Sequence, residues 1–232
     1  MNTGNKKIYS KNKLLTTICY RLNGKTTYAL EGSIFIAGAG VQWIRDRMKF
    51  VKKASDTEKI VRSLKDNAGI YLVPAFTGMG APYWNANARG VLSGITRDTG
   101  PKEIVRATIE SVAYQTYDLF EAMKHDGLRP KIVKVDGGMV MNNWFSQFLS
   151  DIIDLDVIRP RVNETTALGA ALMAGLKIGV YKSLKDVSKN WKINKKFYPK
   201  MNKVNRSKLC LLYTSDAADE GLGVDLGGRR II

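Results

Sequence analysis

Asp136-Gly137-Gly138 follows a short apolar run and precedes a helix-like one. Paired glycines let a ligand approach bare backbone, and the start of the following helix offers unpaired N–H groups with a partial positive charge. That combination suits a phosphate or a nucleotide. Asn142, at the expected helix start, is equipped either to hydrogen-bond a base or to cap the helix. A second glycine-rich run, Ala37-Gly38-Ala39-Gly40, falls inside a helical pattern. Each glycine there costs about 1 kcal/mol relative to alanine, so something approaches that backbone closely: a neighbouring helix or a ligand.

Other chemistries lack their residues. There is no GxxxxGK[ST] loop, no protein-kinase catalytic loop and no GxSxG elbow. One histidine and two distant cysteines, Cys19 and Cys210, give no zinc spacing. His125, beside Asp126-Gly127, reads as a helix end or a solvated side chain. Glu31, Asp136 and Glu164 have the chemistry to hold Mg²⁺, but capping and turn formation explain each, and none is named as catalytic. The net charge of +16 is spread over small groups such as Lys6-Lys7, Lys52-Lys53 and Lys195-Lys196. No nucleic-acid motif accompanies it, so it reads as a solvated surface rather than a nucleic-acid footprint. No apolar run approaches the roughly 18 residues that span a bilayer, and the polar, basic start has no signal-peptide core. A reducing, cytoplasmic setting is the default expectation.

The elements that position the glycines follow from periodicity. Residues 14–21 and 26–30 are rich in strand formers, and Asn23-Gly24 between them predicts a hairpin with a type I′ turn. Residues 31–50 read as one helix on the spacing of Ile34, Ala37, Val41, Ile44 and Met48. A short helix is expected over 56–64, strands over 70–73 and 91–96, and an ordered Gly/Pro-rich loop over 74–84. Pro101 suits the first position of a long amphipathic helix reaching about residue 124. A strand over 131–135, the Gly-Gly turn, a helix over 142–153, a strand over 156–159 and an alanine-rich helix over 165–177 complete an α/β alternation. The opening hairpin is expected to make the sheet mixed.

The last segment is different in kind. From Cys210 onward four acidic residues face two basic ones, on an otherwise basic chain. The string CLLYTSDAADE resembles one reading frame of a sequencing-library adapter. Residues 210–232 are therefore expected to be a foreign, disordered tail, leaving 1–209 as the domain.

Five stretches carry a resemblance: YALEGSIFIAGAGVQWIRD (28–46), VPAFTGMGAPYWNANARG (73–90), IVRATIESVAYQTYDLFEAM (104–123), VDGGMVMNNWFSQFLSDI (135–152) and ETTALGAALMAGLKIGVY (164–181). In this order they resemble the C-terminal domain of the FGGY carbohydrate kinase family. The ALEG and GAPYW forms are similar to its glycerol-phosphorylating members rather than to those acting on xylulose or gluconate. The resemblance implies an α/β, actin-like ATPase (ribonuclease-H-like) domain, a mixed sheet with helices on both faces, that holds ATP with Mg²⁺. It places nucleotide contacts on Gly38, Gln42, Gly138 and Asn142.

What the family has upstream of the matched segment matters equally. Its substrate-binding residues, its general-base aspartate, a threonine-containing phosphate turn and the first strand of this domain lie there. Met1-Asn2-Thr3-Gly4 resembles the sequence just after that turn, so the chain is expected to begin internally with its first strand missing. A chain of this kind is expected to bind ATP weakly or not at all and to show no kinase activity. The alternatives are a nucleotide-binding module that pairs with a separate N-terminal half, or half of another sugar kinase of the family. Members of the family assemble into dimers or larger oligomers, which makes a homo-oligomer an expectation for the complete protein only.

Overall fold

The structure is a computed structural model that describes residues 1–222, with side chains in the last helix only for 203–211 and 213. Among the described residues the strands form three small sheets, and one long helix packs against the second of them. β1 (Asn2–Gly4), β2 (Leu15–Leu22) and β3 (Lys25–Glu31) form an antiparallel sheet in the order β1-β3-β2. Asn23 and Gly24 sit at φ +49° and +75°, the left-handed pair that a type I′ turn requires. β4 (Tyr71–Val73) pairs antiparallel with β5 (Val91–Ser93). β6 (Ile132–Lys134) runs parallel to β7 (Asp156–Pro160), which pairs antiparallel with β8 (Ile193–Phe197). The mixed character thus comes from β8. The opening hairpin, expected to supply it, stays in its own antiparallel sheet.

The long helix α3 (Pro101–His125) is the spine. Pro101 opens it, and the Glu103 carboxylate accepts from the Gly100 N–H at 2.9 Å, supplying the first turn with an acid. Val105, Ile109, Val112, Ala113 and Tyr114 are buried along it. Helix α4 (Asn143–Ile153) lies against α3 and over β7, burying Phe145, Phe148, Leu149, Ile152 and Ile153. Helices α1 (Gly38–Asp46) and α2 (Asp56–Ser63) also dock on α3.

α1 is shorter than the apolar spacing predicts. It begins at Gly38, so residues 31–37 are not its first turns. Hydrophobic periodicity ran on through Ile34 and Ala37 because both pack inward from irregular chain. The loop between β4 and β5 is ordered as expected. Met79 and Asn85 exchange backbone hydrogen bonds at 2.8 and 3.1 Å, and Asn85 Oδ1 accepts from the N–H groups of Asn87 and Ala88.

The remaining elements are α5 (Thr165–Lys177), α6 (Leu184–Ser188) and α7 (Lys203–Leu222). The expected domain boundary at residue 209 falls inside α7, where Cys210 and Tyr213 are buried and the Tyr213 ring stacks on Tyr114 at 4.8 Å. The rest of the expected tail, 223–232, lies outside the described residues. No helix among the described residues is long and apolar enough to cross a membrane.

Candidate functional site

Gly38, Gln42, Gly138 and Asn142 line one cleft of about 490 Å³, although the two pairs are a hundred residues apart in sequence. Its walls are the first turns of α1, the α2 start with Thr57 and Glu58, and the turn between β6 and α4. The site lies beyond the C-terminal end of a parallel strand, where open α/β sheets place their ligands.

Each wall has a local cause. Gly38 and Gln42 are four residues apart on α1, so they share a face. Gly38 and Gly40 differ in what surrounds them. A Cβ on Gly40 would sit 3.1 Å from the Thr108 methyl on α3, so Gly40 is the point of close helix approach. A Cβ on Gly38 would meet nothing within 4 Å, because Gly38 faces the cleft. Substituting Gly40 with leucine is therefore expected to lower the unfolding free energy by about 1–3 kcal/mol through overpacking, read from urea denaturation. Gly40→Ala is expected to stay within about 1 kcal/mol, since Thr108 needs to yield only a few tenths of an ångström.

On the opposite wall, Gly137 adopts φ +86° and turns the chain out of β6. Gly138 is exposed, and a Cβ there would also meet nothing within 4 Å. A 3-10 turn (Met139–Met141) carries the chain to Asn142. Asn142 caps α4: its Oδ1 accepts from the Phe145 N–H at 3.0 Å. Its amide also donates to Thr57 Oγ1 at 3.3 Å. The next residue, Asn143, gives its backbone N–H to Glu58 at 3.1 Å. The cap reading of Asn142 thus holds, and the residue lines the cleft as well.

Thr57 and Glu58 were not singled out from sequence, since a Thr-Glu pair in the first turn of a helix looks like ordinary N-terminal chemistry. Burial alone would raise the Glu58 carboxyl, but hydrogen bonds from Arg62 and the Asn143 N–H outweigh it and hold the group below its ordinary range. Glu58 is thus an anion at neutral pH on the rim. The other acids weighed from sequence stand apart from such a role. Asp136 accepts from the Thr165 hydroxyl, while Glu31 and Glu164 are exposed. His125 is exposed at the end of α3.

Comparison with known proteins gives the site a context. A model described as the FGGY family of carbohydrate kinases, C-terminal domain, matches residues 1–178. Glycerol kinase 1 of Pseudomonas aeruginosa is 55% identical over 208 residues, which is 90% of this chain and 42% of that protein. The glycerol kinase of Clostridium botulinum is 53% identical over 210 residues, with the same two coverages. Among solved structures, Plasmodium falciparum glycerol kinase with ADP matches at TM-score 0.87 and 36% identity, covering 97% of this chain and 45% of that one. Gluconate kinase from Lactobacillus acidophilus, at 21% identity and TM-score 0.77, shares the fold over 97% of this chain and 45% of its own. The chain thus spans less than half the length of the relatives it matches.

Proposed function

We infer from a chain that belongs to the FGGY family of carbohydrate kinases that it is the ATP-binding half of a glycerol kinase. The fold is the actin-like ATPase α/β fold of that family. The observation that carries the reading is the convergence of Gly38, Gln42, Gly138 and Asn142 on one cleft. Two of its walls present glycines with open space above them, both next to a helix start. A volume of about 490 Å³ is within the usual range for small-molecule sites. Bare backbone at the start of α1 favours an anionic ligand, whereas at the start of α4 the Asn143 and Phe145 N–H groups are taken by Glu58 and Asn142, and the Asn142 amide is placed to select among the ligand's polar groups.

In the complete protein the reaction would be transfer of the γ-phosphate of Mg-ATP to glycerol, giving ADP and glycerol 3-phosphate. This chain's residues would grip and orient the nucleotide. The resemblance puts the aspartate that deprotonates the glycerol hydroxyl in a segment upstream of the part matched here. Mg²⁺ keeps most of its waters and is bound largely through substrate phosphates, so it would arrive with the nucleotide. Phosphoryl transfer depends on positioning and charge across both halves of such a cleft. This chain alone is therefore expected to bind nucleotide weakly at most and to show no turnover. The composition change at Cys210 supports a domain over 1–209, while the buried Cys210 and Tyr213 of α7 pack against it from beyond that boundary, and we place the protein in the cytoplasm.

The test is amide-resolved NMR of the chain titrated with Mg-ADP, beside a coupled assay for ADP release. Shifts confined to the first turns of α1 and to residues 138–143 are expected, with half-saturation on the order of 1 mM. Glycerol-dependent ADP production by the purified chain would show that it is a complete catalyst. Shifts elsewhere, or none at about 10 mM, would remove the nucleotide from this cleft.

A further inference from the structure

Arg159 on β7 is a buried cation held entirely by neutral groups. Only 6% of the residue is exposed. Its Nη1 donates to the carbonyls of Val140 and Met141 at 2.7 and 3.2 Å. Its Nη2 donates to Asn143 Oδ1 at 3.1 Å and Asn194 Oδ1 at 2.8 Å, and its Nε to the same Asn194 oxygen at 3.0 Å. All five N–H donors of the guanidinium are used. No ion pair among the described residues includes Arg159. The guanidinium also lies 5.6 Å from the Phe197 ring centre, and the residue opposite Arg159 in the sheet register is another cation, Lys195.

A buried charge without a counter-ion is costly, and a buried arginine is ordinarily paired with an acid. Here three of the five hydrogen bonds go to the segment that joins the Gly-Gly turn to α4. Val140 and Met141 lie in the 3-10 turn between Gly138 and Asn142, and Asn143 is the first residue of α4. Arg159 itself does not line the cleft, so it grips this wall from behind.

We propose that Arg159 is the positioning residue of the nucleotide cleft. With the carbonyls of Val140 and Met141 drawn to the guanidinium, they are kept from facing an anionic ligand, and Gly138 and Asn142 are set at a fixed separation. An uncompensated positive charge behind the same wall adds to its attraction for phosphate-bearing ligands. A fork with five donors does this where lysine, with a compact ammonium, cannot engage four separate oxygens in these directions. The proposal rests on the nucleotide reading of the cleft.

The experiment compares the parent chain with Arg159→Lys, Arg159→Met and Asn194→Ala in the Mg-ADP titration, at a temperature where circular dichroism shows each folded. Asn194 is exposed on β8, and its replacement removes two of the guanidinium bonds without touching the cleft. Both Arg159 variants are expected to weaken ADP binding by about tenfold or more, and Asn194→Ala by about threefold. Reversible partial unfolding raises the apparent half-saturating concentration only by the reciprocal of the folded fraction, so a tenfold loss in a variant that circular dichroism shows to be mostly folded has another cause. Should the Arg159 variants fail to fold, Asn194→Ala decides the matter. A folded variant of either residue that binds ADP like the parent overturns the role of Arg159 alone. A parent chain without shifts at residues 38–42 and 138–143 overturns the nucleotide reading, and the inference with it.

Discussion

Replacing Glu110 with alanine is expected to lower the unfolding free energy by about 3–5 kcal/mol, a large part of the stability of a domain this size. Glu110 and Arg106 pair at 2.7 Å on α3, with side chains 2% and 10% exposed. Tyr114 donates its hydroxyl to the second Glu110 oxygen at 3.1 Å, and Arg106 Nη1 reaches the Leu64 carbonyl at 2.8 Å. The guanidinium also lies 5.1 Å from the Trp144 ring centre. Burial is the largest influence on the Glu110 carboxyl and raises it above the usual range in spite of Arg106, so the pair is held at a cost. Without its partner, Arg106 becomes a lone buried cation where α2, α3 and α4 meet. Removing both charges is far milder than removing one: Arg106→Met with Glu110→Leu is expected to recover most of the loss. Urea unfolding followed by circular dichroism measures both. A single Glu110→Ala variant within about 1 kcal/mol of the parent would show that the site is hydrated rather than dry.

The second large effect falls on binding and leaves the fold alone. Gly38→Leu and Gly138→Leu are each expected to abolish Mg-ADP binding, a loss of about a hundredfold or more. Stability should stay within about 1 kcal/mol of the parent. Neither glycine has a positive φ, and neither Cβ would meet an atom within 4 Å, so the backbone accepts the change. A leucine side chain would instead occupy the space over the helix starts. NMR titration of each variant beside its melting curve gives both numbers. A leucine variant that still binds would move the ligand to another wall of the cleft.

The hairpin was legible because Asn-Gly between two strand-forming runs leaves few alternatives. α3 and α4 were legible because their apolar residues keep helical spacing without interruption. The start of α1 was not: Ile34 and Ala37 pack inward from irregular chain, and periodicity responds to burial rather than to backbone shape. β8 reads INKKF, with only Phe197 buried, so no alternation marked it as a strand. The four glycine and amide positions of the cleft came from family resemblance together with helix-start chemistry. Their meeting in one cavity required the fold. Thr57 and Glu58 joined them from α2 with no distinguishing signal of their own. Arg159 had one: it follows the apolar Val157 and Ile158 in a strand buried on both faces, where an arginine is unusual.

Gly38 and Gly40 are separated by one residue, yet selection would see them through different screens. A bulky side chain at Gly40 is filtered by the cell's proteases, because α1 and α3 touch there. A mutation at Gly38 survives that filter and, on the proposed nucleotide reading, is removed only where the cleft must hold its ligand. In a lineage that no longer depends on this cleft, Gly38 is free to drift first, and a side chain at 38 beside a retained Gly40 would mark a fold kept after its ligand was lost.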